Sequence, residues 1–439
     1  MTQVKIDVSK SLGKIKPVHG VGQPPFSGLN FSMIRYLTEA NIPYSRLHDV
    51  GGPYGDFRYV DVPNIFRDFS ADENDPASYD FCFTDGLITA LIEAGVEPYF
   101  RLGVTIENFH KIKAYRIFPP ADFAKWARVC EHIIRHYTEG WADGFNYKIT
   151  YWEIWNEPDH PGDRDDHTKN SMWQGTPQQY YELYTVTAKH LKSCFPNIKI
   201  GGYGLSSFRA KSEYWMNFEG GKHRWKYLYF TEFMEGFLNY VKQNGAPLDF
   251  FSWHLYEHEL RDLPTYARFA RDTLDAYGFT NTETSCNEWN IKVDARGTFE
   301  HAVLNAATLI IFANEPVDNA EFYDAKFGIG KYGSMFDPAT AKPYPIYYAF
   351  RTFGRLYALG DRIGAESSDP DVYVIGARND RRAEVMIVNT TDCVKELELD
   401  CDRVPFVSLL TGEGRVEGLI PTPTVLPPYS IVSIMYDNV

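Results

Sequence analysis

The chain has 439 residues, 44% hydrophobic and 23% charged, and its 58 Asp and Glu outnumber 44 Lys and Arg for a formal charge of −14. An acidic chain without a basic block excludes sequence-independent binding to phosphate backbones, which needs clustered Lys and Arg to displace counterions. No window approaches the ~18 consecutive apolar residues of a membrane span, so neither nucleic acid nor membrane is an expected partner. The opening MTQVKIDVSKSLGK lacks the apolar run of a signal peptide. On that reading the chain is cytoplasmic if full length, and periplasmic or secreted if a leader was removed.

In chain order, short apolar runs alternate with amphipathic stretches. The runs are Pro17–Gly22, Pro43–His48, Glu97–Leu102, Ile149–Trp155, Ile198–Tyr203, Asp249–Leu255, Thr284–Glu288 and Ala320–Asp324. Between them lie helical segments such as Ala121–Tyr137 and Pro177–Phe195, the second ended by Pro196-Asn197, and a last helix is expected over Pro345–Leu359. Strand and helix alternating eight times predict a parallel sheet closed into a (β/α)8 TIM barrel, an α/β fold that uses about 250 residues. From Gly360 the texture becomes short alternating segments (VYVIGAR, EVMIVNT, KELELDC, VPFVSLL, SIVSIMY). These predict an accessory antiparallel β-sandwich, with Val4–Val8 as an added strand. The expected division is 13–360 for the barrel, with 1–12 and 361–439 for the sandwich.

Two insertions, Asp49–Ala77 and Asp159–Gly175, follow strand C-terminal ends, where barrel enzymes build their sites, and are read as active-site loops. Six cysteines lie far apart without a C-x-x-C pair, which gives zinc and redox motifs no support; Cys393 and Cys401 are close enough for a bridge. Aromatic residues make up 16% of the chain. They fill cores first, but flat rings also stack on the apolar faces of sugars, and Trp155, Trp173, Trp253 and Trp289 are the candidates for that role. Trp152 has the opposite strand parity to Glu157 and is expected to pack.

The strongest motif is Tyr151-Trp152-Glu153-Ile154-Trp155-Asn156-Glu157-Pro158 at the fourth strand. At the mouth of a barrel, a carboxyl whose pKa is raised by burial can protonate a leaving-group oxygen, which suits Glu157. A second carboxylate stands at the seventh strand in Ser285-Cys286-Asn287-Glu288-Trp289-Asn290. Strands four and seven face each other, and two opposed carboxylates are the machinery of glycoside hydrolysis, one as acid/base and one as nucleophile.

These motifs, with Arg46-Leu47-His48-Asp49 at strand two and His254-Leu255-Tyr256 at strand six, resemble family 39 glycoside hydrolases, the β-xylosidase and α-L-iduronidase family. The resemblance covers about residues 15 to 360. It implies a retaining exo-glycosidase with Glu157 as acid/base and Glu288 as nucleophile. By the same resemblance Asn156 binds the hydroxyl next to the anomeric carbon, Tyr256 hydrogen-bonds the nucleophile, and His48 and His254 line the subsite of the departing sugar. Asp49, Trp289 and Tyr323 complete the candidate substrate-binding set. The sequence departs from the xylosidase pattern after Glu288, which continues Trp289-Asn290-Ile291-Lys292, and at Tyr323-Asp324, where a Trp is usual. β-Xyloside is therefore the first expectation, with α-L-arabinofuranoside, β-galactoside or a uronide behind it; a uronide needs a cation, for which Arg46, Lys292 and Lys326 are candidates. Family members often associate, so a homo-oligomer stays open.

No metal, nucleotide or flavin is needed for this chemistry, and neither G-x-G-x-x-G nor a P-loop lysine motif supports a nucleotide. His254 and His258 are spaced as in a zinc helix, yet Phe250–His254 reads as a strand. The acidic loop Asp159–His167 lacks the ligand spacing of an EF-hand. His19 is read evenly as core or site. The rival class is a non-catalytic carbohydrate-binding protein on the same barrel, which would not require two opposed carboxylates.

Overall fold

The computed structural model describes the chain except residues 26, 29–30, 51–59, 107–115, 163–169, 328–331, 334, 401–405, 412–413, 419–422 and 438–439. Eight parallel strands close into a barrel: Gly20–Gly22, Tyr44–Leu47, Glu97–Leu102, Tyr151–Ile154, Lys199–Leu205, Phe250–Glu257, Glu283–Ile291 and Asn319–Phe322. Each overlaps one of the expected apolar runs, although the seventh strand extends three residues past its run to Ile291 and the first begins only at Gly20. These strands are buried on both faces, which is why they read as continuous apolar runs rather than alternating ones.

The helices follow from local signals. Phe123–Glu139 starts at Asp122, whose side chain accepts from the Lys125 amide, and ends at Gly140 in the left-handed region with φ 73°. Pro177–Cys194 opens with a capping box in which Thr176 and Gln179 satisfy each other's amides, and Pro177 occupies the first turn. The final barrel helix spans Pro345–Leu359, as expected. No described helix is long and apolar enough to cross a membrane.

Nine further strands form one sheet, and the short strands Ser27–Gly28 and Phe31–Ser32 pair separately. The N-terminal strand, Thr2–Lys14, runs antiparallel to Asp361–Ser367 and parallel to Lys395–Asp400, so the sheet has one parallel pairing within an otherwise antiparallel order. Alternation along Arg382–Asn389 splits its side chains between two cores. Met386 and Val388 join the main core against helices Phe299–Asn314 and Pro345–Leu359, while Val385 and Ile387 join a second core internal to the sheet. Arg355 on the last barrel helix donates to Glu384 from Nε and Nη2 at 2.9 and 2.7 Å, which ties the sheet to the barrel with a forked ion pair.

Candidate active site

The site sits at the C-terminal ends of the barrel strands. After Ile154 the backbone turns sharply, with Trp155 at φ 72° and Glu157 at φ 43°, both in the left-handed region that non-glycine residues seldom adopt. Two anchors hold this turn. The Trp155 indole donates to the Met172 carbonyl at 2.8 Å, and the Glu157 amide donates to the carbonyls of Tyr203 and Gly204 at 3.1 and 3.2 Å. Gly204 has φ +67°, and a Cβ there would lie 2.8 Å from Nε2 of His254. Only glycine lets the fifth strand approach the acid-bearing turn this closely.

Glu288 comes from the seventh strand. A register shift between Ser285 and Glu288, against the sixth strand, places Glu288 beside His254. Its Oε1 accepts from the Tyr256 hydroxyl at 2.6 Å, and its Oε2 accepts from Arg46 Nη1 at 3.0 Å. Glu157 Oε1 lies 2.7 Å from Nδ1 of His254, which stands 3.8 Å from Glu288 Oε2. One carboxylate oxygen of Glu157, one of Glu288 and a His254 ring nitrogen all fall within 4.8 Å of one another. The two carboxylates keep 14% and 10% side-chain exposure, so a substrate can reach both.

Burial dominates the electrostatics here. It pushes the Glu157 carboxyl up to about 7, against the charges of Lys226 and Arg46, and it raises Glu288 as well, with His254 opposing and Glu157 adding to the rise. Burial also lowers His254 to about 4, so its imidazole is neutral at pH 7. A protonated Glu157 can thus donate to His254, or an ionised one accept from it, without a change of net charge on the ring.

Arg46 organises the floor of the site. Its Nε donates to Glu153 Oε2 at 2.8 Å, its Nη1 to Glu288, and its Nη2 to the Asn156 side-chain oxygen. Glu153 is fully buried and also accepts from Ser252 Oγ and Asn287 Nδ2, each at 2.6 Å. Burial opposes the charge on Arg46, but Glu153 and Glu288 outweigh it and hold the guanidinium charged. Arg46→Met should cost about 3–5 kcal/mol, because it leaves Glu153 as an uncompensated buried charge. Urea unfolding of the variant measures that loss, and the acid limb of its activity profile should move to higher pH as Glu288 loses a cation.

A polar wall lines the other side of the mouth. The Tyr323 hydroxyl donates to Asp49 Oδ2 at 3.3 Å and accepts from Gln23, and His48 Nε2 lies 3.3 Å from Asp49 Oδ1. Asp324 and Lys326 stand close enough to Asp49 to act on its charge. Among the described residues His48 Nδ1, Gln23 Oε1 and Asp324 Oδ1 are buried without a hydrogen-bond partner.

The structure therefore gathers Glu157, Glu288, Asn156, His254, Tyr256, His48, Asp49 and Tyr323 at one mouth, but not Trp289. That indole is fully buried and turned outward onto Phe312, Phe322 and Phe350, the first and last on flanking helices. Strand alternation opposes it to Glu288, so the sugar-stacking role expected for it is corrected to packing. Trp155, Trp173 and Trp253 are likewise at most 1% exposed and packed on aromatic neighbours, as is Trp152 on Phe100. His19 is buried against Phe353 and Tyr357 with its ring bonded to the Asn41 carbonyl, a core histidine. His258 is directed to Asp294, away from His254.

Arg46 is committed to its two carboxylates, and Lys292 is paired with Glu300, so neither is left for a uronide. Cys401 lies outside the described residues; Cys393 is free. Much of the Asp159–His167 loop also lies outside them; Asp159 itself is buried and accepts from the Ser206 amide and hydroxyl.

Burial pushes Asp159 up to about 8. The folded chain thus holds this proton more tightly than the unfolded one, and stability falls as pH climbs from about 4 to about 8. Asp159→Asn cannot titrate, so its unfolding midpoint in urea should gain on the parent's between pH 4.5 and pH 8.5.

Arg46, Glu153 and Gln23 were not singled out as site residues from sequence, apart from Arg46 as a cation for a uronide. The signal for Glu153 was present: a charged residue inside a buried strand, YWEIW, must have a buried partner.

Residues 10–271 match the model of the family described as glycosyl hydrolases family 39. The chain belongs to that family. A β-xylosidase of Geobacillus stearothermophilus is 21% identical over 70% of this chain and 63% of its own, and one of Caldicellulosiruptor saccharolyticus is 22% identical over 75% of this chain and 67% of its own. The chain thus spans about two thirds of the length of these relatives. Among solved structures, a glucosidase from Croceicoccus marinus superposes with a TM-score of 0.77 at 23% identity, covering 100% of this chain and 99% of that one. A family 39 β-xylosidase from Caulobacter crescentus gives 0.67 at 16% identity, covering 99% of each. These likenesses establish the barrel-plus-sandwich fold across the whole family 39 chain.

Proposed function

We propose that this family 39 protein is a retaining exo-glycosidase that cleaves terminal β-xylosides by double displacement. The observation that carries the reading is the approach of Glu157 and Glu288 oxygens to within 4.8 Å. Retaining enzymes hold their carboxyl groups about 5–5.5 Å apart, whereas inverting ones leave about 6.5–9.5 Å for a water. Glu157 protonates the departing oxygen while Glu288 attacks the anomeric carbon. Glu157 then takes a proton from the water that releases the sugar.

The unpartnered atoms of His48, Gln23 and Asp324 favour a ligand rich in hydroxyls, since buried polar groups seek partners. Asn156, Asp49, His254 and Tyr323 stand at the same mouth and complete its binding set, with Tyr256 orienting the nucleophile. Xylose is favoured among the sugars because both curated relatives are named β-xylosidases.

A panel of aryl glycosides tests the reading, with the first-formed anomer followed by proton NMR. Release of β-xylose as the initial product supports it. Initial α-xylose refutes retention, faster turnover of another glycoside refutes the sugar, and binding without release supports the non-catalytic rival.

A further inference from the structure

On the outer wall of the barrel, on the two helices that come before and after the fourth strand, three side chains of metal-binding type converge. His190 and Cys194 are four residues apart on helix Pro177–Cys194 and so share a face, and Glu131 meets them from helix Phe123–Glu139. His190 Nε2 lies 2.5 Å from Glu131 Oε2, and one ligand atom from each of the three residues falls within 4.8 Å of the others. We propose that Glu131, His190 and Cys194 form a zinc site that staples these two helices together.

Zinc binds thiolate, imidazole and carboxylate at about 2.0–2.3 Å, so its ligand atoms stand roughly 3.5 Å apart in a tetrahedron. Side chains that are half-buried, as all three are, can contract to that spacing by small torsional changes. The donor set selects the ion: one sulfur, one nitrogen and one oxygen suit zinc, whereas calcium and magnesium require oxygen. Arg135 supports the geometry, because its Nε donates to Glu131 Oε1 at 2.8 Å and leaves Oε2 facing His190. Holding a ligand through its other oxygen is how outer partners orient a metal site.

The fourth position opens to solvent and would take a water. On ligation the Cys194 S–H bond breaks, the sulfur binds zinc and the proton goes to solvent. Cys194 ends the helix that leads into the fifth barrel strand, at the end of the barrel away from the strand C-termini. The site is thus placed for stability rather than for chemistry on the sugar.

Cobalt titration of the reduced, chelator-stripped 439-residue protein tests the proposal. One equivalent of Co2+ should give a near-ultraviolet thiolate charge-transfer band that Zn2+ abolishes by displacement. Cys194→Ser should lose the band, and His190→Ala and Glu131→Gln should bind at least about tenfold more weakly. Zinc should also raise the thermal midpoint of the parent and leave that of Cys194→Ser unmoved. The absence of a thiolate band, or its survival in Cys194→Ser, overturns the proposal. So does cobalt uptake that is equal in all variants, since Glu157, His254 and Glu288 could take an ion without any thiolate.

Discussion

Glu288→Gln should lower turnover of an aryl β-xyloside by at least about 10^4-fold while leaving the protein folded, because a nucleophile that acts as one unit with its acid/base has no substitute nearby. The exchange is nearly isosteric, and Oε1 of the new amide can still accept from the Tyr256 hydroxyl. The amide nitrogen would face Arg46 Nη1, donor to donor, but Glu153 still neutralises the guanidinium. The fold should therefore survive, and circular dichroism with thermal melts verifies it. Near-parental turnover in a folded Glu288→Gln would mean that the covalent step does not run through this residue.

Glu157→Gln should have a different signature. Loss of a general acid costs about 10²–10⁴-fold, and the loss should be smaller for substrates whose leaving group needs no proton, such as a dinitrophenyl glycoside. Glu157 must be protonated to act as the acid, and burial places its pKa at about 7. In the parent, kcat/KM should then fall as pH rises through about 7. In the variant that limb should vanish. The acid limb reports ionisation of Glu288, which burial raises above the ordinary carboxylate range, so it should lie above that range. Because the two carboxyls share one site, the measured values belong to the pair. An unchanged basic limb in Glu157→Gln would assign that limb, and the acid role, to another group.

These predictions rest on residues the sequence already exposed. Glu157 and Glu288 could be found because each is a carboxylate that follows an asparagine at or just past the end of a strand-length apolar run. The eight strands could be found for a related reason: a strand buried on both faces must be apolar throughout, and that texture is local. The helix Pro345–Leu359 was likewise legible to the residue, from its first-turn proline and the glycine that follows it.

Side-chain direction at the strand ends was less legible. Trp289 follows Glu288 in sequence, yet alternation turns it out to Phe312 and Phe350, and the indoles offered as stacking platforms proved to be core. Alternation holds from Glu288 to Trp289 but is broken one step earlier, where a register shift between Ser285 and Glu288 lets the consecutive residues Asn287 and Glu288 both face inward, to Glu153 and Arg46.

By itself, then, the sequence determined the barrel, the accessory sheet, the family and the two carboxylates, because hydrophobic period and short motifs are properties of neighbouring residues. Only the tertiary structure decided that Arg46 bridges Glu153 and Glu288, that His254 meets Glu157, and that Glu131 meets His190 and Cys194. Those pairs lie far apart along the chain, and the barrel's register or the packing of its helices brings them together. The same holds for the raised pKa of Glu157: it comes from exclusion of water by the assembled barrel, which no local pattern of residues encodes.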